Sequence, residues 1–350
     1  MHEISEIRAP VVAGERHGGN LAEARRLFPL APEPWLDLSA AANPHAYPFA
    51  ELRAEAFARL PEEADLRRLE SAAAEFYGAA DAAWVVAAPG TQALIQWLPQ
   101  ILRARQVGVL GFTYGEHARA WRNAGAHARV CENLEELADV DVAVVVNPNN
   151  PDGRLVPAAD LAELAGHLAR RGGFLVVDEA FIDFLPREAS LVLALPSAGS
   201  IVLRSFGKTF GLPGLRLGFA IAPRAICAKL RAGLGPWPVS GAAIAIGREA
   251  FADSTWLAAT RVHLAADVAQ LDAILAEAGF TPVGGTPLFR LVQHLEVAAM
   301  FDRLGRAGIW VRRFAERPNW LRFSVPRDGT ELRRLRADAD RIREPRRAGR

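Results

Sequence analysis

Between positions 84 and 222 short aliphatic runs alternate with helical patterns, and that alternation leaves few architectures open. WVVAA (84–88), VGVLG (107–111), HARV (127–130), VAVVVN (142–147), FLVVD (174–178), IVLR (201–204) and LGFAIA (217–222) read as strands, most of them apolar at successive positions rather than at every second one. Strands of that kind are buried on both faces. Helical spacing fills the gaps from Thr91 to about Arg103, from Glu116 to about Asn123 and from Pro157 to Arg170. The pattern predicts an α/β fold, with a mostly parallel seven-stranded sheet flanked by helices in a large domain and a smaller α/β domain beside it. In such sheets ligands gather beyond the carboxyl ends of the strands.

The flanking segments suit two domains rather than one. The chain has 350 residues, 51% of them hydrophobic, enough to bury a large core. Its first forty-odd residues, with HGGN at 17–20 and FPLAPEPWLDLSAAANP after it, predict one short strand in WLDL and otherwise extended or turning backbone. Two helices divided near Pro61 are expected over 51–77, and others over roughly 223–232, 239–251 and 255–279. The last is long enough to bridge two domains. Strands in LFRLVQ (288–293), IWVR (309–312) and WLRFSV (320–325), around a helix from Leu295 to Gly305, make the smaller layer. The expected division is 1–46 as an arm and part of the small domain, 47–240 as the large domain and 241–350 as the small one.

Composition excludes several partners. A net charge of +1 gives no basic footprint for nucleic acid, and REPRRAGR at the C-terminus reads as a solvated tail. Cys131 and Cys227 lack metal-type spacing and suit a reducing compartment. The N-terminus lacks the apolar core of a signal peptide, and no run of about 18 apolar residues occurs. A soluble cytoplasmic protein without a metal is expected.

The chemistry-bearing residues each follow a predicted strand. In RSFGKTFGLPGLR, Lys208 can attack an aldehyde to form a Schiff base, while the Ser205 hydroxyl and the Arg216 guanidinium can bind a phosphate. Singly, these are a loop lysine and a strand-edge charge. Gly90, Thr91 and Gln92 open a helix, forming either an anion site or an ordinary cap. Tyr114 could stack on a pyridine ring or be merely half-buried. Asn150, in NPNNPDG, could donate to a ring oxygen, although the run is also turn chemistry. Asp178 ends a buried strand, where a carboxylate is costly unless paired. A protonated pyridine nitrogen, a helix end or an arginine would serve.

As an ordered set these residues resemble the fold type I pyridoxal 5′-phosphate enzymes of the aspartate aminotransferase superfamily. The resemblance implies that cofactor, with Lys208 bonded to its aldehyde and Asp178 on the ring nitrogen. Asn150 would reach the ring oxygen, Tyr114 the ring face, and Gly90, Thr91, Gln92, Ser205 and Arg216 the phosphate end. It implies further that Arg322, in WLRFSVP, holds the substrate carboxylate, and that two copies pair with Tyr47 or its neighbours reaching across. Phe181 stands where many relatives carry a tyrosine, so a ring-oxygen donor is missing.

NNPDG, DEAF and GKTFGLPGLRLGF resemble both the histidinol-phosphate aminotransferases and the threonine-phosphate decarboxylases. RHGGNLAEA, PWLDLSAAANP and GPWPVSGAA resemble the second family. That likeness implies decarboxylation of L-threonine O-3-phosphate to the (R)-1-amino-2-propanol O-2-phosphate of the cobalamin nucleotide loop. His17, Gly18, Gly19 and Asn20 would close over the substrate phosphate, with Asn43 among the substrate contacts. A histidinol-phosphate or aromatic aminotransferase is the alternative.

Overall fold

A computed structural model describes residues 17–195 and 199–343. Strand β1 (Leu36–Leu38) precedes β2 (Val85–Ala88), β3 (Gln106–Leu110), β4 (His127–Cys131), β5 (Val142–Val146), β6 (Phe174–Asp178), β7 (Ser200–Ser205) and β8 (Gly218–Ile221). β2 to β8 form a seven-stranded sheet in the order β2-β8-β7-β6-β5-β3-β4, in which β8 runs antiparallel to both neighbours and the other pairs are parallel. All seven predicted runs are strands of this sheet.

The continuous apolar runs serve two different cores. Ala143, Val145, Leu175, Val177 and Val202 face one layer, with helices Glu63–Tyr77, Ala158–Arg170 and Gly241–Ala252 over them. Val142, Val144, Val176, Ile201 and Leu203 face the opposite layer, under helices Thr91–Leu102, Glu116–Asn123 and Arg224–Leu234. Successive strand residues point to opposite faces, so both sets must be apolar.

A second sheet joins both ends of the chain. It adds β9 (Thr281–Thr286), β10 (Phe289–Gln293), β11 (Ile309–Arg313) and β12 (Trp320–Ser324), in the order β1-β11-β12-β10-β9. β1 pairs in parallel with β11, so the N-terminal segment takes its hydrogen bonds from the C-terminal part of the chain. Helix Ser254–Glu277 spans the distance between the sheets: Trp256 near its start packs on the first core, while Leu264, Leu271 and Ile274 belong to the core of the small sheet.

Three elements depart from expectation. Leu21–Leu27 is a helix rather than extended chain, capped where the Asn20 side chain accepts from the Glu23 amide at 3.2 Å. β9, TPVGGT, was disguised by its glycines and proline. It is an edge strand, where proline is tolerated, and its glycines admit another backbone. A Cβ on Gly284 would stand 2.0 Å from the Asp152 carbonyl oxygen, and one on Gly153, at φ +72°, would stand 2.0 Å from that of Gly285. The small sheet is thereby seated against the turn that carries Asn150. Helix Gly329–Arg343 hid in a charged run, where Leu332 and Leu335 reach the core and Asp328 accepts from the Thr330 and Glu331 amides. The expectations for residues 1–16 and for the tail beyond Arg343 lie outside the described residues.

Phe210, fully buried just after the lysine turn, stacks on Phe206 at 4.4 Å and on Trp256 at 5.4 Å between ring centroids. Phe210→Ala should lower unfolding free energy by about 3–5 kcal/mol, measured by chemical denaturation. A loss below about 1 kcal/mol would show that this cluster is not a structural centre.

Candidate active site

The carboxyl ends of the large-sheet strands converge on one cavity of about 270 Å³. Asp178 is the last residue of β6 and Ser205 the last of β7; Lys208 sits on the single turn Phe206–Thr209 that follows. Thr91 opens the helix after β2, Tyr114 follows β3 and Asn150 follows β5. Gly90, Gln92 and Arg216 line the same cavity, so all nine expected cofactor contacts meet there.

The end of the cavity at Arg216 is shaped by residues without side chains. An ideal Cβ on Gly90, at φ +82°, would lie 2.6 Å from an Arg216 terminal nitrogen, and one on Gly218 would lie 2.5 Å from the Thr91 amide. Glycine at both positions lets the guanidinium and the Thr91 amide approach closely beside Ser205, an arrangement that could hold an anion. Arg216 is itself left-handed, at φ +56°, with its guanidinium donating to the Pro213 carbonyl at 2.9 Å. A non-glycine residue in that region is a cost that the surrounding loop enforces.

At the other end stands Asp178, 4% exposed. One carboxylate oxygen is 2.9 Å from His117 Nε2, and the other accepts from the Ala180 amide at 3.1 Å. His117 is itself buried and was not singled out in the sequence, although it lies one helical turn beyond Tyr114 in GFTYGEH. A carboxylate so placed, with one hydrogen-bonded imidazole, can hold a cationic ring nitrogen.

Lys208 lies between these ends, half-buried. Burial, with Arg322 and then Arg216 adding to it against the opposing pull of Asp178, lowers its amine to about 8. An amine so depressed is partly neutral near physiological pH and nucleophilic. The Phe181 ring, 5.6 Å from its Nζ, packs edge-on against Phe289.

The small sheet supplies two cations. Arg322 is 6% exposed, donates to Asn150 Oδ1 at 2.5 Å and to the Ser39 carbonyl at 2.8 Å, and leaves Nε without a partner. None of its bonds goes to a carboxylate; burial, and Arg312 beside it, lower it to about 9. Arg312, missed in the sequence, faces Arg322 across the β11–β12 ladder and lines the cavity. A buried guanidinium with no acid partner can serve as an anion site. Asn150 gives its carbonyl to Arg322, which leaves its NH₂ group as the donor.

Of the expected substrate contacts, His17, Gly18 and Arg322 line the cavity, and Gly19, Asn20 and Asn43 do not. The bonding groups of these three residues are taken up within the chain. Gly19 gives its amide to Ser39 Oγ, and Asn20 caps a helix. The Asn43 side chain donates to the Thr209 carbonyl at 2.8 Å and accepts from the His45 amide, so it braces the lysine turn. His17 is tethered through Glu116 at 3.1 Å, and Glu116 continues through Gln92 to the Tyr114 hydroxyl. Tyr47 is buried edge-on against Phe210 and Trp256 of its own chain. Among the described residues no cluster of His, Cys, Asp and Glu could hold a metal ion.

These features fit pyridoxal 5′-phosphate: a glycine-built anion cradle, a depressed lysine and a buried carboxylate in one cavity. Without that cofactor a protonated Lys208 is penalised, so the apoprotein of Lys208→Met should be more stable than wild type at pH 7. Between about 8 and 10.5 the folded lysine has lost a proton that the unfolded chain still holds. Wild-type stability therefore rises through that window and the difference narrows, as pH-dependent denaturation would show. A constant difference would mean that Lys208 is not depressed.

Comparison with known proteins agrees with this geometry. The family model for aminotransferase class I and II matches residues 40–337. The threonine-phosphate decarboxylase of Pseudomonas aeruginosa is 42% identical over 332 residues, 94% of this chain and 98% of that protein. That of a Sinorhizobium species is 40% identical over 333 residues, 95% of this chain and 98% of the other. In fold, the histidinol-phosphate aminotransferase of Sinorhizobium meliloti, solved with pyridoxal-5′-phosphate, covers 97% of this chain and 98% of its own at a TM-score of 0.78 and 22% identity. With that likeness extending along nearly all of its length, the chain belongs to the class I and II aminotransferase family, and within it to the threonine-phosphate decarboxylases.

Proposed function

We propose that this protein decarboxylates L-threonine O-3-phosphate to (R)-1-amino-2-propanol O-2-phosphate and CO₂, for the cobalamin nucleotide loop. The observation that carries the reading is the pair Arg312 and Arg322, two cations on one face of the small sheet with Arg322 buried and bonded to no acid. A phosphorylated amino acid brings two anions to them. The relatives' names supply the reaction, which the charge pattern alone does not distinguish from transfer of the amino group.

In this reading Gly90, Thr91, Ser205 and Arg216 hold the cofactor phosphate, and Asp178, steadied by His117, holds the ring nitrogen. Tyr114, tied to Gln92, covers a ring face, while the Asn150 NH₂ group reaches the ring oxygen. Lys208 carries the covalent link. The bound cofactor supplies a sink for the electrons that CO₂ leaves behind. Arg322 orients the substrate carboxylate, and Arg312 with His17 holds its phosphate. A proton must replace the departing CO₂ at Cα, and Lys208 is the group placed to deliver it.

The assembly that fits is a cytoplasmic homodimer, each chain divided into an arm and part of the small domain at 1–46, a large domain at 47–240 and the small domain at 241–350. Phe57, Leu60 and Trp237 are 71%, 65% and 57% exposed. Their segments adjoin, since a Cβ on Gly241 would meet the Ala56 carbonyl oxygen at 2.5 Å and Pro61 and Trp237 border one cavity. An apolar patch of that kind suits a second copy. No helix among the described residues is long and apolar enough to cross a membrane.

Holoenzyme given L-threonine O-3-phosphate alone should release CO₂ with one equivalent of the phosphorylated amine. Turnover only with an added 2-oxo acid, without CO₂, would instead make the protein an aminotransferase. Arg312→Met should raise KM for the phosphorylated substrate about 10- to 100-fold with a smaller change in kcat. An unchanged KM would remove Arg312 from the substrate site.

A further inference from the structure

Behind the cavity, on the opposite side of the β6 and β7 backbones, lies a buried polar cluster that the reaction does not use. Arg204 donates to Glu179 at 2.9 Å and to Ser190 at 3.1 Å, and its other terminal nitrogen to Asp183. The second oxygen of Asp183 accepts from the Thr209 hydroxyl. Glu179 also accepts from the Ser190 hydroxyl at 2.6 Å and the Leu191 amide at 2.7 Å, and the guanidinium lies 4.3 Å from the Tyr77 ring centroid. Arg204, Glu179, Asp183 and Thr209 are all at least nine-tenths buried.

Each of three members adjoins a residue of the site in the chain. Glu179 follows Asp178, Arg204 precedes Ser205 and Thr209 follows Lys208. In the strands, neighbours point to opposite faces, so one ion cluster on the back grips the backbone that presents Asp178 and Ser205 at the front. The lysine turn needs such a grip most. Four residues of helix, Phe206–Thr209, cannot hold their own shape. From the front the turn is fixed by the Asn43 amide on the Lys208 carbonyl at 2.9 Å; from behind it is fixed through Thr209 to Asp183.

We propose that Asp183 and Thr209, anchored by Arg204, are positioning residues that set where Lys208 stands relative to the substrate Cα. The substrate anions are held by the other sheet, through Arg312 and Arg322. Slackening the turn therefore moves the amine without moving the substrate, and proton delivery suffers more than binding. This inference rests on the decarboxylase reading for its kinetic measure but not for the loss of cofactor described next.

The test is Thr209→Val, which keeps the volume and removes the hydroxyl. It should lower kcat about 10- to 100-fold while KM stays within about twofold. It should also release pyridoxal phosphate faster on dialysis, because Lys208 and Ser205 both hold it. Thr209→Ser should restore both properties to near wild type. If Thr209→Val does not fold, Asp183→Asn, which retains the shape and weakens the bonds, should show the same split. Unchanged kcat per bound cofactor with only a lower melting temperature would overturn the proposal, as would parallel changes in kcat and KM or a serine variant no better than valine. Wild type inert toward L-threonine O-3-phosphate would refute the substrate reading and leave the comparison of cofactor release standing.

Discussion

The site depends on keeping a negative charge at the buried end of β6. Asp178 is 4% exposed, bonded to the His117 imidazole and the Ala180 amide and faced by the Lys208 amine. A carboxylate there is tolerable only because backbone amide, imidazole and a cationic ligand share its charge. The sheet cannot relax that constraint, since β6 lies between two parallel neighbours with an apolar layer on each face. In the proposed reading the cost of the buried acid becomes affinity for a protonated ring nitrogen.

The small sheet answers with the opposite imbalance. It places Arg322 and Arg312 side by side, without a carboxylate for Arg322, across a cavity whose other wall holds Lys208. Arg322 lowers the lysine and Arg312 lowers Arg322, effects that an anionic substrate would oppose on binding. Glycine contacts at 153, 284 and 285 fix the separation of the two walls by letting backbone touch backbone. The N-terminal segment ties them together, since β1 pairs with β11 while Asn43, five residues later, holds the lysine turn.

Much of this was legible in the sequence, and the exceptions are physical. Runs such as VAVVV and FLVV could only be central strands, and the positions just past them were the only places for a site. His117 was not legible because a single histidine in a short helix carries no pattern. Arg312 looked like one more charge in an arginine-rich chain. Asn20 and Asn43 looked functional because amides suit ligands; in the structure Asn20 caps a helix and Asn43 bonds the lysine turn, roles that a sequence does not display. β9 broke the strand rules at Pro282, Gly284 and Gly285, and the last helix is so charged that its two core leucines were inconspicuous.

The sequence contains two lysines, Lys208 in the cavity and Lys229 exposed on helix Arg224–Leu234. Borohydride reduction of the holoenzyme, followed by proteolysis and mass spectrometry, therefore offers a decision between two peptides. The account predicts the pyridoxyl mass on the peptide containing Lys208 alone. Label on Lys229, or on neither, would contradict it.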